Sequence, residues 1–233
     1  REIVVQVDPG TRYQTMVGWE ATAQLGQAEI PGFASYQAEV LDRTVNELGI
    51  NRVRLEVRSG AENPQNLWQA YHDGSLSYED WRANRYVMVN DNDDPNVIDP
   101  AGFHFPELDH DVREVVEPMR QLLAARGEAL WINLCLVDFL RGTNLIASDP
   151  AEYAEFMLAV FQHLQGTYGW VPNSVEMILE PDNGTVAYTG NRIGRNMAAA
   201  AARLSAAGFT PEFVGPSTVS MGAASGFFDD LIV

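Results

Sequence analysis

The chain has one cysteine, Cys135, among 233 residues, which excludes an internal disulfide framework and any multi-cysteine metal cluster. It is also short of positive charge: 15 Lys and Arg stand against 32 Asp and Glu, a formal net charge of −17. Binding a phosphate backbone needs a basic face, so nucleic-acid recognition is excluded as a function class. Polybasic docking on an anionic membrane falls with it, and no apolar run approaches the ~18 residues of a spanning helix. Gly-rich phosphate-cradling loops are missing, and no Ser-His-Asp arrangement can be assembled. His72, His104, His110 and His163 have no metal-ligand spacing. Neither a metal ligand nor a cofactor is expected.

Apolar material is ample, at 46% hydrophobic and 10% aromatic residues, which suits a globular core rather than a disordered chain. Cys135 lies in the apolar run 129–137 and reads as a buried, inert thiol. Strand-like and helical periods alternate with short punctuation, the mark of parallel α/β architecture. Strands are expected at 3–7, 15–19, 51–57, 129–137, 174–179 and 212–215. Helices are expected at 36–48, 110–126, 151–165, 192–207 and 225–233. Val40, Leu41, Val45 and Leu48 recur at helical spacing and Gly49 supplies the stop, while Asp149 and Pro150 open the third helix. The count is one opening strand and five strand-helix units, the fifth incomplete.

A stretch of about fifty residues, 58–109, breaks this rhythm. Connections that long are uncommon in compact domains and are usually functional or disordered. This one holds Trp68, Tyr71, Tyr78, Trp81, Tyr86, Phe103 and Phe105, which argues for order. It reads as a folded excursion at the C-terminal side of a strand, where parallel sheets bind ligands. Within it, Asn90-Asp91-Asn92-Asp93-Asp94 has the composition of a calcium loop but lacks the Gly and terminal Glu of an EF-hand.

Chemistry-bearing side chains gather at strand ends. Glu180 follows the strand 174–179, and Pro181 stops the ladder there. A partly shielded carboxyl in that position can serve as a proton donor. Arg54 sits inside an apolar strand and needs a carboxylate, Glu20 or Glu56, or a substrate oxygen. Trp19 and Glu20 are expected at the end of the strand 15–19, and Asp138 at the end of the strand 129–137. Asn183-Gly184-Thr185 is a glycosylation sequon, expected to be unused because a glycan there would cover Glu180.

The motifs in order resemble glycoside hydrolase family 30 and its relatives in clan A. Tyr13-Gln14-Thr15-Met16-Val17-Gly18-Trp19-Glu20 is similar to the "Y-Q-x-I-x-G-F-G" entry of that family. Leu48-Gly49-Ile50-Asn51-Arg52-Val53-Arg54-Leu55 resembles the clan's "L-G-x-N-x-V-R-L" second strand. Leu179-Glu180-Pro181 resembles the "N-E-P" ending of the fourth strand, and Val214-Gly215-Pro216 the "V-G-P" of the fifth. The resemblance implies a (β/α)8 barrel of TIM type, here incomplete with about five units, over residues 13–233. Residues 1–12 would be a strand of a side β-domain.

It also implies hydrolysis of a poly- or oligosaccharide with retention, by two carboxyl groups about 5 to 5.5 Å apart. Glu180 matches the general acid/base. Glu20, Arg54, Asp138, Asn183, Trp19, Trp68 and Trp81 are the candidate carbohydrate-binding residues, the last two as stacking platforms. The clan's Asn before the acid/base is Leu179 here, with Asn183 as a possible substitute. The nucleophile follows the seventh strand in the clan, so it is expected outside this chain, with the other half of the barrel supplied by a longer protein. The alternative reading is a non-catalytic carbohydrate-binding or structural protein on a degenerate barrel. An extracellular or cell-surface location is expected, although Arg1-Glu2-Ile3-Val4-Val5 is strand-like rather than a leader and the cytosol stays open.

Overall fold

In the computed structural model, which describes residues 3–6, 8–13, 15–139, 144–183 and 188–232, strands and helices alternate. The order is β1 (Glu20–Thr22), α1 (Gln37–Asp42), β2 (Arg52–Arg58), α2 (Leu67–His72), α3 (Tyr78–Asn84), α4 (Pro106–Asp111), α5 (Glu117–Ala124), β3 (Trp131–Val137), α6 (Pro150–Tyr168), β4 (Ser174–Glu176), α7 (Gly190–Ala206), β5 (Glu212–Val214) and α8 (Met221–Leu231). The five strands form one parallel sheet in the order β1-β2-β3-β4-β5. The expected α/β class and the adjacency of successive strands are both present.

Register decides what each face carries. Val53 pairs with Ile132, Leu55 with Leu134, and Val57 with Leu136, and all six are buried. They pack against Leu41 and Val45, Val112 and Met119, and Phe156 and Val160 from the flanking helices. Burying one such side chain stabilises the fold by about 1.5–3 kcal/mol, so this layer dominates its stability. The residues between them point to the opposite face, which is polar. Arg54 pairs with Asn133, Asn133 with Ser174, Glu56 with Cys135, and Cys135 with Glu176.

Two helices contain a wide turn that periodicity does not reveal: Arg43–Glu47 follows α1, and Val112–Val116 joins α4 to α5. The second has a clear cause. Pro118, near the start of α5, has no N–H for the carbonyl of Glu114. That carbonyl instead accepts from Gln37 Nε2 at 2.7 Å, tying α1 to the joined helix.

Several boundaries differ from expectation. The first strand of the sheet is Glu20–Thr22 rather than 15–19, and Met16, Val17 and Trp19 are exposed. Alternation marks extended chain, but only the ladder with β2 selects a register, and that ladder starts at Glu20 opposite Arg52. Residues 3–6 belong to no strand, while Val7, like Gln14, lies outside the described residues. The fourth strand stops at Glu176, with ladder bonds continuing through Met177 N–H to Val214 O at 3.1 Å and Leu179 N–H to Leu136 O at 2.9 Å. The last helix begins at Met221, where the Ser220 hydroxyl caps the Gly222 N–H; Val233 is outside the described residues. Among the described residues, no helix is long and apolar enough to cross a membrane.

The long excursion is folded. It leaves β2 through the tight turn Ser59–Ala61, forms α2 and α3, and returns with Phe103 bridged to Glu62. Gly60 makes this possible: a Cβ there would lie 2.4 Å from the carbonyl oxygen of Arg85.

Candidate active site

The C-terminal edge of the sheet is built by the ends of β2, β3 and β4 and the turn after β5. Glu180 stands there with its backbone in the left-handed region, φ 54°. Its amide N–H donates to Ser217 O at 3.1 Å, and its Oε2 accepts from Asn183 Nδ2 at 2.7 Å. Asp182 binds the β5 turn from the same loop, accepting the amide N–H groups of Val219 at 2.7 Å and Ser220 at 3.0 Å. The loops after β4 and β5 are thereby stitched together around a half-buried carboxyl. The remainder of the sequon, Gly184 and Thr185, lies outside the described residues.

Beneath Glu180, the polar face of the sheet holds a connected set of charges. Glu176 is buried and accepts from Asn133 Nδ2 at 3.0 Å and from the Ser217 hydroxyl. Asn133 Nδ2 also reaches Glu20 Oε1 at 3.5 Å, and its Oδ1 accepts from the Ser174 hydroxyl. Burial raises the Glu20 carboxyl, while the Asn133 hydrogen bond opposes the shift. Arg54 Nη2 donates to Glu56 Oε1 at 3.1 Å, one of the partners its position demanded. Burial, reinforced by the Glu176 carboxylate, pushes the Cys135 thiol well above its usual range.

At the end of β2, Arg58 is buried and bridges Glu56 at 3.7 Å and Glu107 at 3.0 Å. Arg85 joins Glu107 at 3.7 Å, and Gln27 Nε2 donates to Asp111 Oδ1 at 2.7 Å. Burial lifts Asp111 to about 7, against the pull of Arg58. Gln24, Gln27, Arg58, Arg85, Glu107 and Asp111 line a polar cleft between the connection after β1 and α4.

The structure brings together some of the residues singled out from sequence and separates others. Glu180 and Asn183 are in contact. Asp138 lies at the end of β3 but is buried in bonds of its own, accepting from Asn144 Nδ2 at 2.8 Å, Tyr188 OH at 3.0 Å and Ser59 Oγ at 3.3 Å. Glu20 begins its strand instead of ending one, and Trp19 is exposed beside it at the opposite edge of the sheet from Glu180. Trp68 and Trp81 are packed inside the excursion, 8% and 0% exposed. Their rings meet edge to face at 5.4 Å, Tyr71 stacks on Trp81 at 5.0 Å, and the Arg85 guanidinium lies 4.8 Å from the Trp81 ring centre. These faces are filled by neighbours in the excursion's own small core.

Glu176, Asp182 and Ser217 escaped the sequence reading. Glu176 did carry a signal, because a charge inside an apolar strand is the same anomaly that drew attention to Arg54. Asp182 and Ser217 carried none, since their roles depend on contacts between distant loops.

No family model matches the sequence, and neither does any curated protein. Solved structures share the fold. The catalytic domain of GH30 xylanase C from Talaromyces cellulolyticus superposes with a TM-score of 0.56 at 13% identity, over 97% of this chain and 52% of that one. A conserved exported protein from Bacteroides fragilis gives 0.55 at 13% identity, over 96% and 49%. The chain thus spans about half the length of the structures it matches. At this identity, the likeness is one of fold.

Proposed function

We propose that this chain is part of a (β/α)8 glycoside hydrolase that cleaves a poly- or oligosaccharide with retention, with Glu180 as general acid/base. The observation that carries the reading is the placement of Glu180. It is a half-buried carboxyl, in a constrained backbone, at the C-terminal edge of the fourth of five parallel strands laid in sequence order. The fold likeness to a xylanase catalytic domain supports the reaction class. In this reading Glu180 protonates the leaving oxygen, and the carboxylate that attacks the anomeric carbon comes from a part of the protein outside this chain. Asn183 holds one Glu180 oxygen and orients the acid. Arg54 and Glu20 act from the polar face beneath, setting the field in which the second carboxylate works. Ile3, Val4 and Val5, exposed and outside the sheet, would suit the strand of a side β-domain that the resemblance implies for this segment. An extracellular or cell-surface location suits a polymeric substrate, and the cytosol stays open for an oligosaccharide.

One observation favours the alternative, a carbohydrate-binding protein without turnover. Leu179 stands where the resemblance has Asn, and the nearby Asn183 amide is engaged with Glu180 itself. Kinetics of the full-length protein decide between them. Glu180→Gln should lower kcat/KM on natural glycans by ~10²-fold or more and spare kcat/KM on activated aryl glycosides, whose leaving groups need no proton, while the second step, which uses Glu180 as base, slows for both. Equal activity of wild type and variant on natural glycans removes Glu180 from the chemistry. Binding of glycans with no hydrolysis of either substrate class establishes the alternative.

A further inference from the structure

The polar cleft beside the end of β2 is a built cavity of about 110 Å³, between the connection after β1 and α4. Gln27 fixes the spacing of these two walls. Its Nε2 donates to Ala23 O and to Asp111 Oδ1, both at 2.7 Å, and its Oε1 accepts the Leu25 N–H at 2.7 Å. Gln24, Ala28 and Glu29 continue the wall after β1, and Arg58, Arg85 and Glu107 line the cleft with Asp111.

Two of these lining residues carry a buried polar atom with no partner. Asp111 is 3% exposed, and its Oδ2 makes no hydrogen bond; neither does Arg85 Nε. Arg85 is set by rings more than by charges. Its guanidinium lies 4.8 Å from the Trp81 ring centre and 5.2 Å from that of Tyr86, and Nη2 donates to Tyr86 OH at 3.1 Å. Its ion pairs with Glu107 and Glu29 are long, at 3.7 and 3.9 Å. Its other donors are thus positioned but weakly engaged. A buried polar group left unpaired costs about 1–3 kcal/mol, so a ligand offering both a donor and an acceptor gains from meeting this pair.

We propose that this cleft binds the vicinal hydroxyls of a neutral sugar ring. A cationic ligand would meet the guanidinium groups of Arg58 and Arg85, and among the described residues no group of three or more His, Cys, Asp or Glu could hold a metal ion. An anion would meet the carboxyl groups of Glu29, Glu107 and Asp111 on a chain of net charge −17. A hydroxyl both donates and accepts, so neighbouring hydroxyls satisfy a guanidinium on one side and a carboxyl on the other. Burial lifts Asp111 to about 7, which lets its carboxyl take either part. An enclosed cavity of about 150 Å³ takes a whole benzene ring, so this cleft admits the edge of a pyranose. Arg58 ends β2 and Glu180 follows β4, which sets the cleft two strands along the same edge from the candidate acid. The proposal rests on the carbohydrate reading for its choice of ligand and not on the chemistry of Glu180.

The test is calorimetric titration of the full-length protein with glucose, glucuronate and protonated glucosamine, one pyranose in neutral, anionic and cationic form. Glucose should bind, and each charged form should bind about 10-fold more weakly, because it sets a like charge beside Glu107 or Arg58. Ala28→Phe puts a ring into the cleft and should abolish glucose binding. Gln24→Ala, a milder change, should weaken it about 2–10-fold, the worth of one neutral hydrogen bond. Glu180→Gln should bind glucose as wild type does, whether or not it hydrolyses a glycan, so failure of this proposal and failure of the glycosidase reading are told apart. Four results overturn the proposal: no glucose binding by wild type, undiminished binding by Ala28→Phe, tighter binding of either charged form, or loss of glucose binding in Glu180→Gln. If Ala28→Phe does not fold, undiminished binding by Gln24→Ala overturns it instead.

Discussion

The amide N–H of Glu180 donates to the carbonyl oxygen of Ser217 at 3.1 Å, and these two are the non-glycine residues with left-handed backbones among the described residues, at φ 54° and 52°. Such a conformation costs an ordinary residue about 1–2 kcal/mol. It persists where surroundings over-determine it, and strained positions of this kind cluster at functional sites. Here the Ser217 hydroxyl binds Glu176, Asp182 holds the amides of Val219 and Ser220, and the Asn183 N–H closes back on Glu180 O at 3.0 Å. The loop carrying the candidate acid is held by the strand after it as much as by its own.

Ser217 separates strain from hydrogen bonding. Ser217→Ala should destabilise the protein by about 1–3 kcal/mol, because the buried Glu176 carboxylate loses a donor. Ser217→Gly loses the same bond but relieves the backbone, so it should be more stable than the alanine variant by about 1 kcal/mol. Urea denaturation of the pair measures the difference; equal midpoints would mean the turn is unstrained.

Trp81 and Trp19 should behave oppositely. Trp81→Ala empties a fully enclosed position and should cost about 3–5 kcal/mol. Trp19→Ala, on an exposed ring, should change stability by less than about 0.5 kcal/mol. Thermal unfolding of the two variants side by side tests whether the excursion's tryptophans serve packing.

Asp111 predicts a pH dependence with a definite sign. Its carboxyl lies at about 7 in the folded protein against 3.8 when free, burial being the main cause. The folded state therefore holds a proton that the unfolded chain has released. Stability from this group is full at the acid end, falls as pH rises from about 4 to about 7, and is level above. Asp111→Asn keeps an acceptor for Gln27 and should flatten that part of the profile. Denaturation midpoints of wild type and variant, taken across this range, should converge at low pH and diverge at neutral pH.

Gly194 lets α8 lie directly on α7, since a Cβ there would fall 2.3 Å from the carbonyl oxygen of Leu231. Gly194→Ala should push the helices apart and cost about 1–3 kcal/mol. Amide exchange should then quicken across α8 while the sheet stays protected.

The order of strands and helices was legible because apolar spacing reports which face is buried, and the layer from Val53 to Leu136 is written plainly in that code. The start of β1 was not, because 15–19 and Glu20–Thr22 are equally able to extend and only pairing with Arg52 chooses between them. Glu180 and Asn183 were legible as neighbours along the chain. The bonds of Asp138 and the partners of Glu176 were not, because each joins segments that touch only after the sheet has formed. The aromatic richness of 58–109 correctly announced a folded excursion, but composition could not say that Trp68 and Trp81 would face inward.

The lone cysteine gives this protein a built-in clock. Cys135 lies in the middle strand of the sheet with no exposed surface, and its thiol is held in the unreactive protonated form. Its neighbours in register are Glu56 and Glu176, so an alkylating reagent reaches it when the polar face of the sheet opens, and the labelling rate follows that opening.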